Sequence, residues 1–389
     1  MANPKSAMRA AALACAMTLA AAAPSTAGGY DTGARDWDFL FQPDGVAFEA
    51  GVRYIVPRRS LGGIIGMFGP SPDVDETEAF ALPHASLAVR FGDAARCMAS
   101  YREPYAGHAN YGTAWTYAFS ATEQHFSSAD FGLTCAGSVA LGKGRLHVIG
   151  GLSYQEIDYE LVQLAPPPAP AGTIARTNVS DGGVAWRAGL AYDIPEYALR
   201  ASLIYNSAVD YNMTGTHSLF GPVFGSITMP QSLELKAQTG VAPGWLVFGS
   251  VRWTDWSVVY NMPIISPVAP VPGGVVSGLT LMWKDTWTVT VGAAHQFSDT
   301  VSAAASLTWD QGATQGFTSQ TDTWTAGLTA IVTPGENVEL QFGGTLGILT
   351  GGTLSTMVLP GGAVNPFGYT ATFGNDLVWS LNASAKVHF

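Results

Sequence analysis

Charge is what this sequence most lacks. Of its 389 residues only 12% are Asp, Glu, Lys or Arg, against roughly 25% in ordinary soluble domains. Hydrophobic content is unexceptional at 47%, so Ser, Thr, Ala and the 45 glycines stand where a soluble chain places Lys or Glu. The net charge of −11 argues against nucleic acid as a partner. Beyond the N-terminus no apolar run of about 18 residues occurs, so no transmembrane helix is indicated. Catalytic signatures are missing as well. There is no Gly-x-Ser-x-Gly elbow, no His-Glu-x-x-His helix, no phosphate-binding glycine loop and no paired Cys ligands, and the seven histidines are scattered. The expectation is a protein without enzymatic activity, metal or cofactor.

Cysteine is scarce too, at three. Cys15 falls in an N-terminal stretch that reads as a secretory signal. Lys5 and Arg9 form its charged region, residues 10–23 its apolar core, and Ser25-Thr26-Ala27 a small-residue cleavage site. Residues 1–27 are therefore expected to be removed, with the mature chain beginning at Gly28. Lipidation of Cys15 is rejected, because Ala12 stands where such signals usually have Leu. Cys97 and Cys135 remain. They either pair in an oxidising compartment or sit as two small buried residues on neighbouring strands.

What is abundant is alternation. In residues 232–242, Leu233, Leu235, Ala237 and Val241 share one parity, and Ser232, Glu234, Lys236 and Gln238 the other. A period of two is a strand. Ala242-Pro243-Gly244 then makes a turn. The pattern resumes with Trp245, Val247, Val251 and Trp253 opposite Ser250, Arg252 and Thr254. At the end of the chain Leu377, Trp379, Leu381, Ala383, Ala385, Val387 and Phe389 form an unbroken apolar row. A soluble edge strand would normally carry a charge or proline there to block pairing.

The strands are joined alternately by short turns, such as residues 193–196, and by long Gly/Pro-rich loops, such as 263–278 and 351–374. That asymmetry, and oily-parity tryptophans near strand ends (Trp245, Trp253, Trp287, Trp309, Trp324, Trp379), describe an outer-membrane barrel with aromatic girdles. The predicted fold is all-β: a transmembrane antiparallel β-barrel of about 14 strands over residues 46–389, preceded by a short lumen segment, residues 28–45. Residues 57–83 and 104–128 read as long loops. Leu61, Ile64, Ile65, Met67 and Phe68 in the first either form an external docking surface or pack over the barrel mouth.

Four short motifs fall in order: residues 199–207 (LRASLIYNS), 229–233 (MPQSL), 253–257 (WTDWS) and 283–287 (WKDTW). On these the chain resembles the outer-membrane long-chain fatty acid transporters of the FadL/TodX type, most closely over residues 199–317. The resemblance implies a 14-stranded barrel with an internal N-terminal hatch. Hydrophobic ligands would enter from outside and leave sideways through a gap at a kink in the third strand, beside an Asn-Pro-Ala tip of the hatch. Here residues 28–44 are shorter than the usual hatch and lack Asn-Pro-Ala, Gln42-Pro43-Asp44 being the nearest approach. The lumen is then either more open or closed by another loop.

The resemblance also places a lysine at the ligand carboxylate, and Lys284 matches it. By parity with Thr286, Thr288 and Thr290, Lys284 is expected to face the lumen or its rim. The alternative is a lysine that snorkels or pairs with Asp285. A charge-assisted bond is worth about 1.5–3 kcal/mol, whereas an apolar tail at about 0.8 kcal/mol per methylene dominates affinity. Arg200, Lys236 and Arg252 share inward parities and, with Glu234, form either ligand contacts or a structural charge network. Ile204, Leu246 and Phe248 are expected to intrude into the lumen as apolar contacts. The expected activity is passive transport, by a monomer in the outer membrane of a Gram-negative bacterium, of hydrophobic compounds, first among them long-chain fatty acids, with aromatic hydrocarbons as the other class. A general porin for polar solutes is the rival; it predicts a charge-rich lumen, where inward faces here are mostly Ser, Thr, Ala and Gly. A barrel enzyme or adhesin is a further alternative.

Overall fold

The computed structural model describes residues 29–33, 37–42, 45–165, 169–359 and 361–389; the signal peptide expected over residues 1–27 lies outside them. Fourteen antiparallel strands close into a barrel. In chain order they are Val46–Pro57, Phe80–Phe91, Ala95–Arg102 continued by Ala106–Asn110, Glu123–Leu141, Gly144–Leu164, Ile174–Ile194, and Leu199–Asn206 continued by Val209–His217. The eighth is Gly221–Met229 continued by Ser232–Ala242, the ninth Trp245–Thr254 continued by Asn261–Ile265, and the tenth Val275–Thr280 continued by Thr286–Gln296. Val301–Asp310, Thr323–Gly335, Val338–Leu349 and Asp376–His388 complete the wall. The fourteenth strand pairs with the first from Ala47↔His388 to Pro57↔Val378, which closes the cylinder and leaves no free edge there.

The period-two pattern is realised as a greasy outer wall and a polar inner one. Leu328, Val184, Leu152, Leu346 and Leu381 are among the large apolar side chains that stay exposed, while Thr134, Thr177, Thr308, Thr323 and Gln341 are buried inside. So extensive an apolar surface belongs in lipid. The six oily-parity tryptophans face outward. The indoles of Trp253 and Trp309 donate to Asp285 (3.1 Å) and Asp322 (3.1 Å), as expected of rings sitting where lipid meets water.

Short turns lie at one end, for example residues 142–143 and 243–244; long loops lie at the other. Two of these loops build a small lid sheet, in which Ser60–Gly66 pairs with Tyr369–Phe373, itself paired with Gly352–Ser355. Leu61 and Ile64 are buried in the lid core with Trp115, Tyr117 and Tyr369. Ile65, Met67 and Phe68 stay exposed. The five apolar residues of that loop thus divide between the two roles open to them.

Residues 104–128, read above as one loop, are not: residues 106–110 and 123–128 are strand, and the connection is residues 111–122. The misreading arises because Pro104 and its neighbours interrupt the alternation.

Cys97 and Cys135 lie directly opposite on the third and fourth strands and are joined by a disulfide. They share the outward parity of Phe131 and Leu133. The bond closes a loop of 38 residues, for which chain entropy alone gives about 4 kcal/mol. The Cys97→Ala/Cys135→Ala variant is therefore expected to unfold at lower urea concentration, read as earlier loss of the fast-migrating folded band on unheated SDS gels. An unchanged midpoint would show that the wall holds this hairpin without it.

Candidate functional site

The lumen is divided in two by the N-terminal segment. Its short 3-10 helix, Asp38–Phe41, lies inside the barrel at the short-turn half, where Trp37, Phe39, Leu40 and Phe41 pack on the inward Ala47, Met98, Ile149 and Ile204. Charges fix it there. Asp38 lies 3.6 Å from Arg200 and 3.4 Å from Lys236, and Asp31 lies 3.6 Å from Arg252. The Arg187 and Arg200 guanidiniums lie over the rings of Trp37 (4.2 Å) and Phe41 (4.5 Å). Below the plug, the buried Lys386 pairs with Glu339 at 2.9 Å. The inner wall of this half thus carries more charge than the Ser/Thr/Ala/Gly reading of inward faces anticipates. It is charge matched against the plug and between neighbouring strands of the wall.

The tip of the segment meets the break in the third strand. Arg102 pairs with Asp130 and Ala106 with Ser127, so Glu103-Pro104-Tyr105 face only two residues of the fourth strand. This is a bulge. On the other side, the register of the second and third strands runs only between Ala85↔Tyr101 and Phe91↔Ala95. Beyond Ala85 the two strands part, until residues 76–78 meet the third strand again at residues 108–110, with Glu78 N–H donating to His108 O (3.0 Å). Pro83 and Pro104 flank the parting, and neither has an N–H to give to a ladder. The freed edge is taken by the plug: Thr32 N–H donates to Pro104 O (3.0 Å), the Thr32 hydroxyl to Glu103 O (2.6 Å), and Ala106 N–H to Tyr30 O (2.9 Å). Tyr30-Asp31-Thr32, not Gln42, is therefore the part of the short hatch that reaches the break.

Above the plug lies a cavity of about 1270 Å³. Tyr30 is set into its floor, stacked on Phe126 (4.5 Å, 8°) and edge-on to Trp283 (5.0 Å), which itself meets Trp256 at 90°. Two close approaches require glycine. A Cβ on Gly107 would lie 2.4 Å from the Tyr30 ring, and one on Gly29, at φ +71°, 2.7 Å from both tryptophans. Leu161, Leu279, Leu281, Phe317 and Phe220 continue the wall, and Ala106, Gly107 and His108 bring the cavity to the parting.

Near the mouth, Glu76 accepts hydrogen bonds from the Ser319 hydroxyl and from the Tyr111 hydroxyl (3.2 Å). Burial pushes its carboxyl above the usual range, against the opposing pull of Ser319, Arg59 and Tyr111. The folded chain therefore holds this proton to higher pH than the unfolded chain does. Stability from this group is present at low pH and falls as pH rises through that window. With wild type and variant digested side by side at each pH, Glu76→Gln is expected to slow tryptic cleavage of the 58–79 loop relative to wild type increasingly as pH rises. A variant as pH-sensitive as wild type would assign the effect elsewhere.

The six residues singled out from the sequence are distributed otherwise. Arg200, Arg252 and Ile204 hold the plug. Leu246 is buried, with Phe248 against it, beside Ala198, Ala294 and Ala304 near the short-turn end. Lys284 is exposed, its N–H donating to Ala313 O (2.9 Å). Residues 281–285 are not a regular strand, and Met282 has φ +51°. Parity counted back from Thr286 therefore fails, and Trp283 takes the inward place expected of Lys284. Among the described residues bordering the cavity, none is one of these six. The aromatic floor escaped sequence reading, although the 253–257 and 283–287 motifs hold its signal: each pairs one outward tryptophan with one fully buried, Trp253 with Trp256 and Trp287 with Trp283.

Solved structures share this architecture. A FadL homologue from Pseudomonas aeruginosa superposes with a TM-score of 0.76 over 96% of each chain, at 14% identity. The toluene transporter TodX of P. putida gives 0.61 at 15% identity, covering 95% of this chain and 99% of that one. The toluene transporter TbuX of Ralstonia pickettii gives 0.61 at 13% identity over 97% of each. No curated protein matches the chain by sequence. The family profile described as outer membrane protein transport protein (OMPP1/FadL/TodX) matches residues 81–322, well over half the chain and well beyond the motifs noted above. The barrel and this match place the protein in the Gram-negative outer membrane, and the chain belongs to the OMPP1/FadL/TodX family of outer-membrane transport proteins.

Proposed function

We propose that this protein takes up uncharged hydrophobic compounds by passive diffusion, with entry past the lid, residence in the aromatic cavity and exit sideways between the second and third strands. The observation that carries this reading is the continuity of the cavity with the parting at Ala106 and Gly107, above a floor closed by Tyr30. A greasy solute gains apolar contacts along this path, whereas the route straight down meets the plug and its paired charges. Two solved proteins of this fold are toluene transporters, which makes small aromatic hydrocarbons a natural substrate class.

Charge favours an uncharged substrate. Arg59 is the only lysine or arginine among the described residues that border the cavity. It is 3% exposed at its side chain and already engaged by Asp376 (3.1 Å) and Gly374 O (3.0 Å). A carboxylate entering here would be desolvated without a free cation. Long-chain fatty acids are the second reading, favoured by a volume above the roughly 300–1,000 Å³ usual for small-molecule sites. Uptake of labelled toluene, oleate and glucose in a strain lacking its own transporter tests both. Toluene is expected to enter faster with this protein than with vector alone, and glucose no faster. Acceleration of glucose alone would install the porin reading; acceleration of oleate alone would install the fatty-acid one.

A further inference from the structure

We propose that the cavity recognises uncharged hydrophobic molecules bearing one oxygen function, such as a ketone or a phenolic hydroxyl, and that His217 and Tyr159 bind that oxygen. This deepens the uptake reading above and rests on it. The apolar walls would select the molecule's body; these two side chains would select its oxygen.

Both side chains are more than nine-tenths buried, His217 at 2% and Tyr159 at 1% exposure, and both border the cavity. His217 Nδ1 accepts the Leu219 N–H at 3.1 Å. That nitrogen therefore carries no proton, and in the neutral ring the proton sits on Nε2. Nε2 is buried without a hydrogen-bond partner among the described residues, and so is the Tyr159 hydroxyl. The Ser277 hydroxyl, on the tenth strand, borders the same cavity in the same condition.

Buried polar atoms are rarely left unpaired, because each forfeits its bond to water. The Gln320 amide oxygen, also at this cavity, shares the condition; other neighbours do not. The Trp115 indole donates to Ala121 O at 2.9 Å, Tyr111 to Glu76, and Arg59 to its several acceptors. The unpaired set is neutral: a ring N–H donor, hydroxyls that donate or accept, and the Gln320 amide oxygen, which accepts. Its complement is a carbonyl or hydroxyl oxygen. An anion would need a cation, and the arginine at this cavity is spent on Asp376.

The test uses the full mature protein in lipid nanodiscs, with displacement of a neutral fluorescent probe, N-phenyl-1-naphthylamine. The competitors are 1-tetralone, its hydrocarbon counterpart tetralin, and 1-naphthoate. Comparing wild type with variant for each competitor cancels its partitioning into lipid. Tyr159→Phe and His217→Phe are each expected to weaken 1-tetralone about five- to tenfold, the loss of one hydrogen bond, and to leave tetralin within about twofold. Naphthoate should fail to displace the probe where tetralone displaces it fully. Equal losses for tetralone and tetralin, no loss for either, or displacement by naphthoate matching tetralone would each overturn the proposal. If neither tetralone nor tetralin displaces the probe from wild type, the uptake reading itself fails. Tyr159→Phe changes one oxygen atom, so retention of the folded SDS-gel band is expected and keeps the comparison valid.

Discussion

Deletion of Pro104 should abolish toluene uptake while leaving a folded barrel that still binds the solute. In the present wall Arg102 pairs with Asp130 and Ala106 with Ser127, so three residues of the third strand face two of the fourth. Removing one equalises the count and lets the ladder run unbroken from Ala95 to Asn110. It also removes a residue with no N–H to offer the second strand. Straightened in this way, the third strand can pair its other edge with the second strand beyond Ala85, which closes the parting between them, so uptake is expected to fall roughly tenfold or more, to the vector-only level. Binding should change little, because the cavity walls are otherwise intact. Two measurements separate the outcomes: labelled toluene uptake, and probe displacement by toluene on the purified variant. Undiminished uptake with a folded barrel would mean that the solute leaves by another way, and the parting would lose its assigned role.

Asp38→Lys should convert the barrel from a closed to an ion-conducting one. Asp38 lies near Arg200 and Lys236 inside the lumen, and its side chain is only 14% exposed. Reversal leaves three cations facing one another around the plug helix. Breaking buried pairs of this kind costs about 3–5 kcal/mol, enough to raise the displaced population at least about 100-fold. The apolar grip of Phe39, Leu40 and Phe41 opposes displacement but does not depend on charge. Discrete conductance steps in planar bilayers are the expected sign, and adding Lys236→Asp should suppress them by restoring a pair. Conductance at the wild-type level would place the plug's hold in its apolar contacts instead.

The barrel was legible because lipid and lumen impose a strict period of two, and the alternation in residues 232–254 and 377–389 survives into the structure unchanged. The division of connections into turns and loops was legible for the same reason. The site was less so. It is built where the strands break, at residues 103–105, 255–260 and 281–285, and there parity carries no information; Lys284 and Trp283 exchanged places across such a break. The plug's partners were half visible. Arg200, Arg252 and Lys236 stood out as inward charges, but the acids that answer them, Asp31 and Asp38, come from a segment with no periodicity. Pro83 and Pro104 were the signal that sequence reading passed over, since proline inside a strand marks a site where the ladder ends.

The bond between Cys97 and Cys135 has a consequence for how the protein is made. Its sulfurs face outward, and Val139 and Leu141 extend the same oily face beyond them toward the turn. Once the wall stands in the bilayer, water-borne thiols have no approach to that position. The cysteines must therefore be oxidised while the chain is still in transit, before assembly shields them, which places a thiol oxidant ahead of the insertion machinery on this protein's route to the cell surface.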